Sequence, residues 1–239
     1  MSKEIKITKN STNDTYQIKF RNNAKILFQS LFESKLLQPH TCTITDDYQT
    51  LIIKTKSMMN YNDFLMDQYK YHTPEQFEFK KYEFAIKMAN DLLNQLKSLL
   101  NNKYTFYTFS LEELFIIDNN KFIYLNIQHL LPMNKDSDLN QTITLRIPFL
   151  KESPGIFLSP EIMELNELPF SMSYKTIYYS LGSLIIYFLF EKEISFYKDN
   201  KNPDEKIKEI LRPIKETKLY WFLLRITKTN PDERWIYFS

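Results

Sequence analysis

Glycine is scarce in this chain, with only Gly155 and Gly182 among 239 residues, where average usage would give about 17. Loops that bind nucleotide phosphates through their backbone need several glycines within a short segment. Two glycines that lie 27 positions apart in the sequence cannot form such a loop. The composition therefore excludes a Walker loop, a dinucleotide-binding fingerprint and any other glycine-rich phosphate loop.

Cysteine and histidine are also rare, at one and three residues. The single Cys42 excludes an internal disulfide and a multi-cysteine zinc site, and it is typical of a reducing compartment. His40, His72 and His129 do not have the spacing of a metal site, so no bound metal is expected. Because His40 lies two residues before Cys42 on a predicted strand, Cys42 is either a nucleophile beside that histidine or a half-buried strand residue.

The chain has neither a large charge excess nor a long apolar run. Lys and Arg number 31 against 29 Asp and Glu, for a net charge of +2, whereas binding through phosphate neutralisation depends on many cationic contacts. The longest apolar stretch, around residues 181–190, is shorter than the roughly 20 residues that span a bilayer, and the N-terminus lacks the apolar core of a signal peptide. We expect a cytoplasmic protein that binds neither nucleic acid nor a membrane.

Aromatic residues are plentiful, with 19 Phe and 16 Tyr. The abundance of Phe, Tyr, Lys, Asn and Ile, which have AT-rich codons, indicates an AT-rich genome, such as that of a parasite, a ciliate, a low-GC bacterium or a large DNA virus. The aromatic group formed by Tyr178, Tyr179, Tyr187 and Phe188 has two interpretations. It is either a stacking platform for bases or part of the core of an aromatic-rich protein.

The hydrophobic pattern divides the chain into two portions. Residues 1–57 show alternating apolar positions typical of strands, interrupted by helical spacing at 22–37. Residues 58–239 are predicted to be mostly helical, with a long helix at 75–100 and a short β-hairpin at 114–125. These patterns predict an α+β fold in a single domain.

Three segments in the second half carry a resemblance to a known family. They are Phe157-Leu-Ser-Pro-Glu161, Tyr179-Ser-Leu-Gly182, and the run from Leu223 to Arg234 that contains Asn-Pro-Asp. In order and spacing they resemble the Ala-Pro-Glu motif, the central-helix motif and the late arginine-containing segment of the protein kinase large lobe. The resemblance implies a two-lobe kinase-like fold, with a reduced β-rich N-lobe at 1–57 and a helical C-lobe at 58–239.

The same resemblance implies two structural features. Glu161 should form a buried ion pair with Arg234, and Gly182 should lie on a buried central helix. This ion pair stabilises the fold and takes no part in the chemistry. Removing one partner of such a buried pair typically costs about 3–5 kcal/mol.

The residues that carry kinase chemistry are replaced. Tyr107-Thr-Phe109 stands where the family has His-Arg-Asp, so Phe109 replaces the catalytic aspartate, and Leu114 replaces the metal-binding asparagine. Ile127 lies in the Asn-Ile-Gln-His stretch that stands where Asp-Phe-Gly is expected. Since Phe cannot accept a proton and Leu cannot ligate magnesium, the resemblance implies no catalytic residue and no metal site. Phe109, Leu114 and Ile127 should cluster where an active kinase holds its metals.

Two supporting positions differ from the family as well. Ile177 replaces the central-helix aspartate that would brace the catalytic loop. Asn126 and Gln128 offer only amide carbonyls, whereas a divalent cation at a phosphate site prefers carboxylates. The adjacent Glu112 and Glu113 should point to opposite sides of an extended segment, and we interpret both as solvated turn charges rather than as a general acid and base.

Lys19 is the candidate cofactor-binding residue. If it pairs with Glu33 on the following helix, the two would mimic the lysine–glutamate pair of a kinase, and ATP would be the expected ligand. The alternative is an exposed strand lysine, in which case no cofactor is expected. In the kinase-like arrangement too little chain precedes Lys19 for a complete N-lobe.

The leading functional hypothesis is a catalytically inactive kinase-like domain, a pseudokinase, that acts as a protein-interaction or scaffolding module with a protein partner. One alternative is a divergent kinase that binds ATP and transfers phosphate with substituted residues. Another is a structural component of a virion or other large assembly, for which an exposed apolar patch would be the sign.

Overall fold

The chain forms a mixed α+β structure. It is a computed structural model that describes residues 5–10, 14–134, 141–146, 155–194 and 202–236. The described part contains seven α-helices and five small antiparallel sheets. The predicted fold class is therefore confirmed at the level of α+β.

A four-stranded antiparallel sheet occupies the N-terminal portion. Its strands are β1 (Ile5–Asn10), β2 (Thr15–Phe20), β3 (Cys42–Ile44) and β4 (Thr50–Lys54), in the order β1-β2-β4-β3. Alternation along β2 buries Tyr16, Ile18 and Phe20 on one face. Helix α1 (Lys25–Glu33) packs at this face, where the rings of Phe20 and Phe28 meet edge to face at 5.4 Å.

Two capped helices follow the sheet. Strand β5 (Met58–Asn60) leads into α2 (Tyr61–Tyr71), and the Asn60 side chain caps it by accepting from the Asp63 N–H at 2.9 Å. Helix α3 (Pro74–Asn101) begins with a reciprocal capping box between Thr73 and Gln76, and Pro74, directly after Thr73, is suited to the first helical position. The predicted long helix at 75–100 is confirmed.

Eight short strands follow α3 in the described part of the sequence. They are β6 (Tyr104–Phe106), β7 (Phe109–Ser110), β8 (Leu114–Ile117), β9 (Lys121–Tyr124), β10 (Leu130–Pro132), β11 (Thr142–Leu145), β12 (Ile156–Phe157) and β13 (Phe170–Ser173). Two of them, β6 and β9, pack against α3. The sheets are β5-β8-β9, β6-β10, β7-β12 and β11-β13. Asp118 and Asn119 adopt positive φ of 52° and 54°, so the predicted β8–β9 hairpin closes through the left-handed turn that its polar residues favour.

Four helices complete the described part: α4 (Pro160–Met163), α5 (Thr176–Phe190), α6 (Pro203–Leu211) and α7 (Lys218–Ile226). Helix α5 is buried on nearly every side, with only Tyr187 and Phe190 partly exposed. Tyr178, Tyr179 and Phe188 are each at least 97 % buried. These aromatic residues therefore belong to the core, and the stacking-platform interpretation is wrong.

Residues from both predicted portions share one hydrophobic core, which runs from the inner face of the sheet to α7. Hydrogen bonds also link the two portions predicted from the sequence. Asp118 accepts from the Thr55 hydroxyl at 2.7 Å and from the Ser57 N–H at 3.0 Å. These bonds join the segment after β4 to the β8–β9 hairpin. No helix in the described ranges is long and apolar enough to cross a bilayer.

Candidate functional site

The Glu161–Arg234 ion pair predicted from the sequence is present. Arg234 follows a short 3₁₀ turn, and its side chain is fully buried. Its two terminal nitrogens donate to the two carboxylate oxygens of Glu161 at 2.5 and 2.9 Å. Planar two-point contacts of this kind combine hydrogen bonds with opposite charges and are among the strongest polar contacts in proteins.

The remaining donors of Arg234 are also satisfied. They reach the backbone carbonyls of Lys228 at 2.7 Å, Thr229 at 2.9 Å and Lys175 at 3.3 Å, and the guanidinium lies 5.1 Å from the Tyr179 ring centroid. All five guanidinium N–H groups therefore have acceptors. This one side chain joins the start of α4, the start of α5 and the segment after α7.

Gly182 lies on the buried helix α5, as the sequence predicts. A β-carbon at this position would lie 2.3 Å from Cγ2 of Thr227 and 3.0 Å from Cγ1 of Ile226. Helix α5 and the end of α7 thus approach too closely for a side chain. Glycine is required here for space, not for an unusual backbone conformation.

Phe109 is fully buried in β7. Its ring contacts that of Tyr124 edge to face at 4.7 Å and that of Phe106 at 5.9 Å. Its backbone N–H donates to the hydroxyl of Ser180 at 2.7 Å. The backbone at this position is therefore held by helix α5, while the side chain contributes only apolar packing.

The other two positions that the resemblance compares with kinase active-site residues are apolar as well. Leu114 is fully buried in β8 and lies opposite Tyr124 in the strand register. Ile127 is partly buried and packs against the same core as Phe109 and Leu114. Asn126 cannot offer a free carbonyl, because its Oδ1 accepts from the N–H groups of Gln128 and His129 at 2.8 and 3.0 Å.

Ser180 is a residue that sequence reasoning missed. Ile177, at the position of the expected bracing aspartate, is fully buried, and Ser180 lies three residues later, on the same face of the helix. The Thr108 hydroxyl lies 3.3 Å from Ser180 Oγ and donates to the Phe157 carbonyl at 3.0 Å. The sequence signal that could have identified Ser180 was a polar residue one helical turn after the position of the expected aspartate.

A buried polar chain lies beside Phe109. The Tyr124 hydroxyl is 2.6 Å from His129 Nδ1 and 3.4 Å from Ser110 Oγ, and Ser110 in turn donates to the Glu113 carboxylate. Burial lowers the pKa of His129 to about 4 and raises the pKa of Tyr124 well above its usual value. At neutral pH we therefore assign a neutral His129 that accepts from the Tyr124 O–H.

The environment of Glu113 differs from the one predicted from the sequence. Glu112 is exposed and Glu113 is partly buried against Ser110, so the two point to different environments as expected. Burial raises the pKa of Glu113, which means that the interpretation of Glu113 as a solvated turn charge is wrong. Because the Ser110 side chain is itself buried, this contact stabilises the fold and does not present a nucleophile.

Two side chains of α3 hold the strand that carries Tyr124. Gln95 donates to the Tyr124 carbonyl at 2.9 Å and accepts from its N–H at 3.1 Å. Asp91, one turn earlier, accepts from the Phe122 N–H at 3.0 Å. These buried polar residues satisfy the free edge of β9, as buried backbone groups require.

The proposed contact between Lys19 and Glu33 is not formed. Lys19 alternates with the buried Ile18 and Phe20, so its side chain lies on the exposed face of the sheet. Glu33 instead accepts from the Ser98 hydroxyl at 2.6 Å and from Asn102 at 2.8 Å. Strand alternation thus corrects the pairing, and Lys19 is the exposed strand lysine of the alternative interpretation.

Cys42 lies at the start of β3 and is half buried, which raises its pKa. His40 is exposed in the preceding 3₁₀ turn, so the two do not share a strand face.

The described residues contain no group of three or more His, Cys, Asp or Glu side chains arranged to hold a metal ion. Comparison with protein-family models and with curated proteins finds no match to the chain.

Proposed function

We propose that the chain is a kinase-like domain without phosphotransfer chemistry that acts as a protein-interaction module. The observation that carries the proposal is the buried two-point ion pair between Glu161 and Arg234, which the kinase resemblance specifies from residues 73 positions apart. Any buried arginine requires an acidic partner, and the support for the proposal is that the resemblance specifies this particular glutamate.

The order of elements supports the same proposal. A small sheet with one helix is followed by the long helix α3, the β8–β9 hairpin, the short α4 and the buried α5. This is the order expected for a reduced N-lobe at 1–57 and a helical C-lobe at 58–239. The backbone of Phe109 is held by the central helix, in keeping with a catalytic loop whose support is retained and whose reactive side chains are replaced.

The chemistry of the replaced positions argues against catalysis. Phosphoryl transfer requires a lysine at the phosphates, carboxylate or amide ligands for magnesium, and a base that orients the hydroxyl. Phe109 and Leu114 supply neither a base nor a ligand, and both are fully buried. Lys19 lies on the exposed face of the sheet, away from the core that contains Phe109.

The surface supports an interaction role. Phe79 is 81 % exposed and Tyr71 is 73 % exposed at the junction of α2 and α3, where Met66 and Tyr69 are also exposed. Contiguous apolar patches on a surface are typical of protein contacts, and these four side chains, all on α2 and the start of α3, are the candidates for one. The same group favours the second candidate, a structural component of a large assembly such as a virion. In sedimentation velocity, that candidate predicts concentration-dependent self-association, which Phe79→Ser should weaken.

A phosphotransfer assay tests the proposal against the divergent-kinase alternative. The full chain is incubated with γ-labelled ATP, magnesium or manganese, and general protein substrates, and we expect no incorporation. Lys19→Ala is the informative variant, with Lys6→Ala as its control, because Lys6 is the exposed cross-strand neighbour of Lys19. Incorporation by the native chain would overturn the proposal, and its loss in Lys19→Ala but not in Lys6→Ala would assign the activity to Lys19.

A further inference from the structure

A cavity of about 270 Å³ lies between helices α6 and α7. Ile207 and Thr227 are buried at this cavity, Leu224 is partly buried, and the Trp221 side chain is 58 % exposed. The neighbouring Tyr220 ring meets Trp221 edge to face at 5.0 Å and is itself buried. An exposed tryptophan supported in this way presents a fixed apolar wall.

The size of the cavity selects the kind of occupant. Sites that enclose a whole small molecule usually measure about 300–1,000 Å³, so at about 270 Å³ this cavity is at the lower limit of that range. It is suited to one or two large side chains of a polypeptide. Protein interfaces concentrate their binding energy in such anchors, and tryptophan and arginine are prominent among the residues that form them.

The charges around the cavity select the chemistry of the partner. Three lining side chains are cationic, Lys208, Arg225 and Lys228, and one is acidic, Asp204. Lys228 pairs with Asp204 at 3.0 Å, and Lys208 pairs with Glu205 at 2.5 Å. Asp204 also accepts from the Thr229 N–H and hydroxyl, so its pair with Lys228 is held in place. The Lys208–Glu205 pair is exposed, and because exposed pairs contribute little net free energy, a carboxylate of a partner can join or replace that contact at little cost.

We infer that the α6–α7 cavity binds an acidic peptide segment of a partner protein. One aromatic or large aliphatic side chain of the peptide enters against Trp221, Leu224 and Ile207, and flanking carboxylates contact the cations at the rim. This inference rests on the proposed interaction function and specifies the class of partner. It assigns the binding to a surface remote in sequence from the exposed residues of α2 and α3.

Selection from a displayed library of random peptides on the full chain tests the inference without knowledge of the natural partner. Selected peptides should share one large apolar residue flanked by Asp or Glu. Their affinity, measured by fluorescence polarisation, should fall at least about tenfold for Trp221→Ala, and it should fall with added salt because the flanking contacts are charged. Arg225→Glu should weaken the same peptides to a similar extent.

Matched variants separate the cavity from general surface effects. Trp235→Ala removes another exposed tryptophan, 63 % exposed, and Arg212→Glu reverses an exposed charge that does not line the cavity. Both should leave the affinity within about twofold, since surface residues outside an interface contribute little. Selection of no peptide, of basic peptides, or of peptides that bind Trp221→Ala unchanged would overturn the inference. Those results would not contradict the proposed function, because that proposal is overturned by a different result, the transfer of phosphate by the chain.

Discussion

The hydroxyl of Ser180 accepts a hydrogen bond from the backbone N–H of Phe109 at 2.7 Å, and both residues are completely buried. Helix α5 therefore contacts the segment around Phe109 through the main chain. A backbone contact is independent of the side chain at position 109, which explains how the loop keeps its place although Phe109 has no polar group. The contact leads to the first prediction.

Ser180→Ala should lower the free energy of unfolding by about 1–3 kcal/mol, because it leaves the buried Phe109 N–H without an acceptor. Urea denaturation monitored by circular dichroism measures the change. Ser183→Ala is the matched control: Ser183 lies on the same helix, is equally buried, and its hydroxyl has no partner in the described part of the chain. That control should be neutral or slightly stabilising, and equal losses for both variants would contradict the role of Ser180.

The close approach of α5 and α7 predicts that Gly182→Ala destabilises the protein. The added β-carbon would meet Thr227 Cγ2 at 2.3 Å, and overpacking of this kind costs about 1–3 kcal/mol. Thr227→Ser removes that methyl and keeps the hydroxyl that donates to the Leu223 carbonyl. A double-mutant cycle in urea should show that Thr227→Ser recovers much of the loss, whereas strictly additive effects would contradict the steric explanation.

The ion pair predicts a large effect from a single substitution. Glu161→Ala should lower the free energy of unfolding by about 3–5 kcal/mol, because it leaves the Arg234 charge buried without its partner. Glu209→Ala, which breaks the exposed Lys206–Glu209 pair at 3.2 Å, serves as the control and should cost at most about 1 kcal/mol. A loss below about 1 kcal/mol for Glu161→Ala would mean that the pair does not hold the fold together.

The buried histidine predicts a dependence of stability on pH. Burial lowers the pKa of His129 from 6.5 to about 4, so the unfolded chain binds a proton in this window and the folded chain does not. The His129 contribution is therefore fully favourable above pH 6.5 and is lost as the pH falls toward 4, by an amount of the order of 3 kcal/mol.

Glu113, in the same polar chain, acts in the opposite direction. Its raised pKa means that the folded state holds a proton more readily than the unfolded state just above pH 4.5, so its contribution improves as the pH falls. Subtraction of the profile of His129→Gln isolates the histidine. The variant should lose less stability than the native chain between pH 6.5 and 4.5, whereas His40→Gln, at an exposed position, should follow the native profile.

Local patterns predicted the strands of the N-terminal portion, the long helix α3 and the β8–β9 hairpin, but not most of the short strands that follow α3. The polar turn at Asp118-Asn119 and the periodicity of α3 each act over a few residues, so they can be recognised in the sequence. The Glu161–Arg234 pair was predictable for a different reason. It depended on motifs whose order resembles a family, and not on any local pattern.

Contacts between distant segments could not be predicted in the same way. The buried polar chain forms only when β7, the β8–β9 hairpin and the following loop come together; its members are Ser110, Glu113, Tyr124 and His129. No local sequence pattern predicts that these segments are in contact. The pairing of Lys19 with Glu33 was predicted from their residue types and their order in the sequence. The alternation along β2 instead places Lys19 on the exposed face of the sheet. Asp91 and Gln95 carried a usable signal, since two polar residues one turn apart interrupt the apolar face of α3.

Thermal unfolding of the full chain with ATP, in the presence and absence of magnesium, tests the central claim most directly. If ATP bound with a Kd of about 100 μM, about 10 mM nucleotide would stabilise the fold by about 2.7 kcal/mol, which corresponds to a rise in Tm of about 5–11 °C for a chain of this size. The kinase resemblance aligns Phe109 with the catalytic base and Leu114 with the metal ligand. Because neither side chain can supply that function, we predict no magnesium-dependent shift. A rise of that size that requires magnesium would contradict the account.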